Sequence, residues 1–268
     1  MCDCENLLKN ANRFTGFAEE YEQVRPAIPL YALEKVTQYL EHTPDLVVDL
    51  GCGTGLSTAA WRTHCARVIG IEPSDDMLRV ARQKADKTVS FQKGFADRTG
   101  LSDGVADAVI CSQSFHWMEP KSTLKEVNRI LKSGGVFATV DCDWPPVSQW
   151  RAEQAYMQLS DKVNRLETEL EDVCNTFVRY PKDKHLENIQ ASRYFRYSRE
   201  IVFANTESCT AERFIGILFS QGGLQTVYKL HPQLLQKDMD VFAQTVHSVF
   251  AGRELPVEFC YRMRIAVK

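Results

Sequence analysis

Short apolar runs alternate with segments of helical spacing over the middle of the chain. The runs cover residues 46–50, 67–71, 89–92, 108–111 and 136–140. Continuous apolar runs of this length are typical of strands that are buried on both faces of a parallel sheet. Between them, Ser74 can cap a helix whose first turn holds Asp75 and Asp76, and another helix ends at Ser133-Gly134-Gly135. This alternation predicts an α/β fold with right-handed crossovers and a doubly wound sheet.

The segments that flank this core have different patterns. Residues 11–43 predict helices, with Leu33, Val36 and Leu40 on one face. Residues 144–200 predict an insertion, and its long helix carries apolar residues at spacings of three and four: Leu159, Val163, Leu166, Leu170, Val173 and Phe177. Because this stripe is too short for a stable coiled coil, we expect it to pack on the parent domain.

The end of the chain returns to strand character. Residues 257–268 alternate between apolar and polar positions, which predicts a half-exposed strand, and residues 195–203 can pair beside it. Helices are predicted near 210–221 and 232–250. A length of 268 residues suits one domain. We divide it into an N-terminal helical lid (1–43), a core (44–142), an insertion that caps the substrate (143–200) and a C-terminal completion of the sheet (201–268).

Composition and charge weigh against several functions. The chain is 44% hydrophobic with a formal net charge of −3, so no basic field favours a nucleic-acid partner. Nine cysteines occur without a CxxC pair, which argues against a disulfide framework and against a metal site. No apolar stretch approaches the roughly 20 residues that cross a bilayer, and the first residues lack a signal-peptide pattern. We expect a cytoplasmic protein without a membrane partner, either a monomer or a homodimer.

A glycine-rich loop, Asp49-Leu-Gly-Cys-Gly-Thr-Gly55, follows the first predicted strand. Glycines let the backbone turn tightly and approach a ligand closely, which fits any nucleotide-type cofactor. A dinucleotide loop has glycine where this chain has Leu56. Asp49 would repel a pyrophosphate but attract a cation, and Glu72 ends the next strand, where an acid accepts hydrogen bonds from ribose hydroxyls.

The runs 47–55, 70–77 and 94–97 together resemble the class I S-adenosylmethionine (SAM)-dependent methyltransferases. Within that family the chain is similar to the small-molecule branch that includes trans-aconitate methyltransferase. The resemblance covers roughly residues 14–142 and implies a Rossmann-like sheet of seven strands in the order 3-2-1-4-5-7-6, with the last strand antiparallel. It also implies SAM as the methyl donor and S-adenosylhomocysteine (SAH) as the product.

The resemblance assigns roles to individual positions. Asp49, Gly51 and Gly53, with Cys52 between the glycines, would hold the methionine part of SAM, and Glu72 would hold the ribose. The remaining contacts it implies are Met77 against the adenine ring, Ala96 and Asp97 at the adenine edge, Gln113 at the sulfonium, and Tyr21 and Arg25 closing over the cofactor, with Arg25 on its carboxylate. Phe95 departs from the family pattern, which frequently has an acid there.

The methyl acceptor is less well defined by the sequence. His116 follows the fourth strand, where ligands bind in doubly wound sheets, so it is a candidate base or orienting group, with structural anchoring as the alternative. Aromatic residues of the insertion could roof an acceptor pocket, and Arg193, Arg196 and Arg199 could bind a carboxylate or simply be solvated. We predict methyl transfer from SAM to a small molecule, with a carboxylate as one candidate acceptor. An NAD-dependent oxidoreductase and a non-catalytic SAM-binding protein are the alternatives.

Overall fold

The computed structural model describes residues 9, 10, 16 and 18–268. Its centre is a seven-stranded sheet in the order β3-β2-β1-β4-β5-β7-β6, which confirms the predicted order. The strands are β1 (Leu46–Leu50), β2 (Arg67–Glu72), β3 (Val89–Lys93), β4 (Ala106–Ser112), β5 (Leu131–Cys142), β6 (Tyr197–Cys209) and β7 (Leu255–Val267). The first five are mutually parallel, and β7 is antiparallel to both of its neighbours.

Helices occupy both faces of the sheet and one end of it. They are α1 (Ala18–Val24), α2 (Leu30–Leu40), α3 (Leu56–Ala60), α4 (Asp75–Ala81), α5 (Pro120–Ile130), α6 (Trp150–Glu169), α7 (Glu171–Cys174), α8 (His185–Ser192), α9 (Ala211–Phe219), α10 (Gly222–Leu230) and α11 (Pro232–Phe250). The Ser74 side chain caps α4 by accepting a hydrogen bond from the backbone of Met77, as the sequence predicts. Within the described part of the chain, no helix has both the length and the apolarity that spanning a membrane requires.

The continuous apolar runs reflect two cores, one on each face of the sheet. Val47 packs into the core that also holds the α2 residues, whereas its neighbour Val48 packs into the core that holds the α5 residues. Successive side chains of a strand point to opposite faces. A strand that is covered on both faces therefore needs an apolar residue at every position, and all five residues of β1 are buried.

The N-terminal region has two different roles in the structure. Leu33, Val36 and Leu40 of α2 are buried in the core of the sheet, so α2 is part of the central domain rather than of a lid. Helix α1 contacts α9 and α4 instead. Within the predicted lid 1–43, the described residues before α2 therefore lie at the carboxyl end of the parallel strands, and those of α2 do not.

A helical cap covers the carboxyl end of the sheet, and we define it as α6, α9, α10 and α11. Helix α6 packs against α10 and α11, and the rings of Tyr156, Phe214 and Phe242 meet at its centre, 6.0–6.5 Å apart. The long helix predicted through Phe177 ends at Glu169 instead. The predicted boundary at residue 200 falls inside β6, and three cap helices lie in the segment expected only to complete the sheet.

Candidate active site

A cavity of about 700 Å³ lies between the carboxyl ends of the parallel strands and the cap. Ligands of doubly wound sheets bind at this edge. On the sheet side it is lined by the glycine loop, the ends of β2 and β4, and the segment after β5. On the cap side it is lined by α6, the start of α10 and residues 179–182. We call these the donor side and the cap side.

The glycine loop is held by backbone hydrogen bonds and by positive φ angles. The backbone amides of Gly51 and Cys52 both donate to the carbonyl of Ile71, over 2.8 and 3.2 Å. Gly51 has a φ of +64°, and a Cβ there would lie 2.7 Å from the Met118 side chain and 2.8 Å from that of Ser114. Only glycine fits this position, because both the backbone conformation and the packing exclude a side chain.

Asp49 lies beneath the loop and is fully buried. Its Oδ2 accepts hydrogen bonds from the Ser57 and Thr58 hydroxyls, over 2.6 and 2.7 Å, while its Oδ1 has no hydrogen-bond partner. Burial raises the pKa of Asp49 to about 6, although the two hydroxyl hydrogen bonds lower it. Asp49 orders the loop from behind, because the residues that line the cavity do not include it.

Glu72 ends β2 and lines the cavity. Its two carboxylate oxygens accept hydrogen bonds from the backbone amides of Gly53 and Ser74, each over 2.9 Å. Burial raises the pKa of Glu72 to about 7, against the lowering effect of these two bonds. The carboxylate therefore connects the glycine loop to the start of α4 and still faces the cavity.

The adenine-side predictions divide into two groups. Met77 lines the cavity, and its side chain is buried beside Tyr21. Ala96 and Asp97 do not line it. Ala96 is buried in the core on the α5 face, so the adenine contact of these two residues stays a prediction. Cys52 lines the cavity, and burial raises the pKa of its thiol well above the usual range.

Gln113 lies just past β4 and has an unusual backbone conformation. Its φ is +56°, a region that few residues other than glycine adopt. Its amide donates to the carbonyl of Val140 over 2.9 Å, and its Oε1 accepts a hydrogen bond from the Lys182 ammonium over 3.4 Å. A strained residue at the strand end, held by β5 and the cap side, fits the predicted position between donor and acceptor.

Arg25 joins the segment before α2 to the cap. Its guanidinium donates to the Ser220 hydroxyl over 2.9 Å and to the Ser220 carbonyl over 3.1 Å. The same group lies 4.8 Å from the Tyr21 ring centroid and 5.0 Å from that of Trp144. Tyr21 and Arg25 therefore line one side of the cavity, and Arg25 pairs with Ser220 in this arrangement. Their contact with the cofactor stays a prediction.

His116 lies on the short 3-10 helix after β4, lines the cavity and is nearly fully buried. Its Nδ1 lies 3.5 Å from Oδ1 of Asp141, a residue near the end of β5. Burial, reinforced by the charge of Lys182, lowers the pKa of His116 to about 4, although Asp141 opposes the shift. The imidazole is therefore neutral at physiological pH.

Asp141 was not predicted from the sequence, although it organises this part of the site. Its Oδ1 lies 3.3 Å from the Lys182 ammonium, and its Oδ2 lies 2.9 Å from Arg264 and 3.1 Å from His185. Burial opposes ionisation, but Lys182 and the two histidines outweigh it and hold the pKa of Asp141 well below its usual range. An acid inside a buried strand run was the available signal, since buried acids are rare unless paired.

The cap side contains functional candidates different from those the sequence suggested. Arg193, Arg196 and Arg199 are exposed and do not line the cavity. Arg179 and Lys182 do line it, and Arg179 lies 3.3 Å from the buried Glu167 carboxylate. The aromatic lining consists of Tyr21, Trp117, Trp144, Tyr156 and Tyr180. The sequence predicted helix as far as Phe177, and residues 178–182 have no periodic pattern, so the position of this segment at the cavity was not predicted.

Comparison with known proteins identifies the core of this chain. Residues 48–139 match the family model of the methyltransferase domain. The "probable S-adenosylmethionine-dependent methyltransferase CRG1" of Saccharomyces cerevisiae is 32% identical over 124 residues, which are 44% of this chain and 43% of that protein. An uncharacterized methyltransferase of Mycobacterium tuberculosis is 35% identical over 115 residues, 43% of this chain and 46% of that protein. Each match therefore spans less than half of the relative's length.

Solved structures extend the likeness in fold to almost the whole chain. A protein from Anaeromyxobacter dehalogenans, described as a type II methyltransferase, superposes with a TM-score of 0.66 at 17% identity and covers 91% of this chain and 97% of its own. The YcgJ protein of Bacillus subtilis gives a TM-score of 0.55 at 19% identity, covering 89% and 98% of the two chains. Residues 48–139 therefore match a methyltransferase domain, and the solved structures share the fold of almost the whole chain.

Proposed function

We propose that this chain is a SAM-dependent methyltransferase that acts on a small molecule. The observation that carries the proposal is the pairing of a glycine loop with two buried acids. Asp49 orders the loop from beneath, and Glu72 faces the cavity at the end of the adjacent strand. The match to the methyltransferase domain covers both residues.

The donor side fits the chemistry of SAM. A Cβ on Gly53 would meet no atom within 4 Å, so the backbone of the loop is open to a close approach from the cavity. The Glu72 carboxylate can accept hydrogen bonds from vicinal ribose hydroxyls. Asp49 and Glu72 together place negative charge near a positively charged ligand group. When bound, SAM supplies a methyl carbon that its sulfonium has already activated.

The same features disfavour NAD. Leu56 lines the cavity at the position where a dinucleotide loop has its third glycine. The Glu72 carboxylate would also face a doubly charged pyrophosphate, with Asp49 behind the loop, and like charges at short range are costly in a partly desolvated site. An oxidoreductase with this loop would therefore need compensating cations on the donor side, where the described residues that line the cavity include no arginine or lysine.

A small-molecule acceptor fits the enclosure of the cavity. The cap lies over the strand ends, and five residues of α6 line the cavity: Tyr156, Ser160, Val163, Asn164 and Glu167. Aromatic walls and a few polar groups are typical of small-molecule sites. If the acceptor carries a carboxylate, Arg179 and Lys182 are the residues to hold it, in place of the exposed arginines on and before β6.

The residues of this cavity contribute mainly by position. In-line methyl transfer requires the acceptor atom to be close to the methyl carbon and aligned with the bond that breaks. The α6 face and the aromatic walls orient the acceptor, while Arg25, stacked on Tyr21 and Trp144, excludes water from one side. No single side chain is diagnostic of the transfer.

Thermal unfolding in the presence of SAM, SAH or NAD tests the cofactor assignment. We expect SAM and SAH to raise the midpoint and NAD to leave it unchanged, since a ligand stabilises the state that binds it. Stabilisation by NAD alone would contradict the proposal. A second assay with methyl-labelled SAM and small acids, phenols and amines separates an enzyme from a non-catalytic SAM-binding protein, for which no acceptor would become labelled.

A further inference from the structure

The buried charge cluster at the end of β5 fixes the orientation of one cavity side chain. We define the Asp141 cluster as His116, Asp141, Lys182, His185 and Arg264. Asp141 is 2% exposed, and Arg264 also pairs with Glu200 over 2.8 Å. With neutral histidines the cluster carries one more positive than negative formal charge, and the adjacent Glu200 carboxylate balances it through Arg264. An added proton on His116 would bring one positive charge, next to the Asp141 carboxylate.

The contact with Asp141 determines which ring nitrogen of His116 carries the proton. Nδ1 lies 3.5 Å from Oδ1 of Asp141 without a hydrogen bond between the two atoms. A carboxylate only accepts hydrogen bonds, and its negative charge favours the proton on Nδ1 rather than on Nε2. Nε2, on the opposite edge of the ring, is then a hydrogen-bond acceptor. A ligand group next to Nε2 must therefore donate a hydrogen bond. A hydroxyl satisfies this requirement, and a carboxylate at that position does not.

We propose that His116 is the general base of the methyl transfer and that the reacting group of the acceptor is a hydroxyl on an aromatic ring. Asp141 acts as a positioning residue that holds the imidazole in the tautomer with Nε2 unprotonated. This inference rests on the proposed function, because it names the acceptor class for the same cavity. It differs from a carboxylate acceptor, which needs no base.

The reaction balances in atoms and in charge. The acceptor oxygen forms a bond to the methyl carbon as the bond between that carbon and the sulfonium breaks, and the bonding electrons remain on sulfur. The hydroxyl proton passes to Nε2 of His116. The positive charge lost at sulfur appears on the imidazolium, beside Asp141, so the total charge in the cavity is unchanged. The imidazolium then loses its proton to water after the product leaves.

The aromatic walls of the cavity favour an acceptor with a flat, uncharged ring. Trp117, Trp144, Tyr156 and Tyr180 line the cavity together with His116, and aromatic surfaces pack well against planar rings. Burial lowers the pKa of His116 to about 4, so the imidazole is neutral at physiological pH but is a weak base. It therefore accepts the proton as the new bond to the methyl carbon forms, because the hydroxyl becomes strongly acidic at that stage. The Trp117 ring lies 4.7 Å from the imidazole, which limits the rotation of the base.

The test uses two series of probes with methyl-labelled SAM, namely phenols that are neutral at the assay pH and nitrophenols that are already ionised there. We expect wild-type protein to form methyl ethers. His116→Gln should lower kcat for neutral phenols by at least a hundredfold, in the range of a lost general base, with little change in KM. Ionised nitrophenols need no base, so the same variant should lower their kcat by less than threefold.

Asp141→Asn should show the same pattern with a smaller loss of kcat. His64→Gln is the control, and its kcat should equal that of the wild type with both probe series.

Three outcomes would overturn the inference. An equal loss of kcat with both probe series would show that His116 has a structural role. A hydroxybenzoate probe offers both a hydroxyl and a carboxylate. If alkali releases the label from its wild-type product as methanol, the methyl group has formed an ester on the carboxylate. No labelled phenol at all, with SAH still stabilising the protein, would exclude the acceptor class. Failure to bind SAH would instead contradict the proposed function itself.

Discussion

The donor side and the cap side of the cavity are built in different ways. Most of the donor side comes from one stretch of chain, residues 49–77, to which the ends of β4 and β5 add residues. Its key contacts involve backbone amides, glycines and two buried acids. The cap side combines residues from the region before α2, from α6, from the loop at 179–182 and from α10. Side chains that are far apart in sequence make its contacts.

This difference separates what the two halves recognise. A site made of backbone in a fixed conformation suits a ligand that never changes, such as a shared methyl donor. A site made of side chains on separate helices can change one residue at a time, which suits an acceptor that differs between enzymes. Both halves nevertheless share one core, because the residues of α2, β1, α6, α9 and α11 belong to the same buried cluster.

The largest expected effect tests that shared core. Phe242 is 2% exposed and packs against Tyr156 and Phe214. Phe242→Ala should lower the free energy of unfolding by about 3–5 kcal/mol, in one cooperative transition in urea. The adjacent Val241 is 54% exposed, so Val241→Ala should change stability by less than about 0.5 kcal/mol. Two separate unfolding transitions would show that cap and sheet are independent units.

Alanine substitutions at two glycines test whether the donor side depends on the conformation of its backbone. Gly51→Ala adds steric overlap to an unfavourable backbone conformation and should cost about 2–5 kcal/mol of stability and abolish detectable SAH binding. Gly104 has a similar φ of +60°, but a Cβ there would meet no atom within 4 Å. Gly104→Ala should cost only about 1–2 kcal/mol and leave SAH affinity unchanged. Equal effects on binding would contradict the assigned loop.

Substitution of the two buried acids should weaken SAH binding less than Gly51→Ala does. Asp49→Ala and Glu72→Gln should each weaken SAH binding at least tenfold, about 1.4 kcal/mol, as measured by calorimetry. Glu119 caps α5 with its carboxylate and does not line the cavity. Glu119→Gln is therefore the matched control, and its SAH affinity should equal that of the wild type. Unchanged affinity in both Asp49→Ala and Glu72→Gln would contradict the assignment.

The pH dependence of binding gives the smallest effect. Glu72 has a pKa of about 7, and its two oxygens can both accept hydrogen bonds from ribose hydroxyls only when it is ionised, because the protonated form turns one oxygen into a donor. Affinity for SAH should thus be highest above pH 8 and fall as pH decreases, by about tenfold at pH 6, where about a tenth of Glu72 is ionised. The Glu72→Gln variant should lose most of this dependence and keep only a smaller fall near pH 6, where Asp49 takes up a proton. A wild-type affinity for SAH that rises as the pH falls would contradict the role assigned to the ionised Glu72 carboxylate.

The sequence predicted the donor side well because local rules determine it. The buried strands and the Ser74 cap follow from burial on both faces of a parallel sheet and from helix capping, whereas the strand order and the position of Gln113 were implied by the family resemblance. The cap side depends on how separate helices pack, which no local pattern encodes. Arg193, Arg196 and Arg199 were therefore chosen as acceptor-binding candidates, whereas Arg179 and Lys182 line the cavity, and Asp141 was missed inside an apolar strand.

Hydrogen exchange with and without SAH is the most direct test of the central claim, that the cavity between the glycine loop and Glu72 binds SAM. We expect SAH to slow the exchange in peptides that cover residues 51–58 and 72–77, and to leave the exchange in residues 193–199 unchanged. Protection that is absent from 51–58 and 72–77 but present around 150–158 and 237–245, where a second, smaller cavity lies, would contradict it.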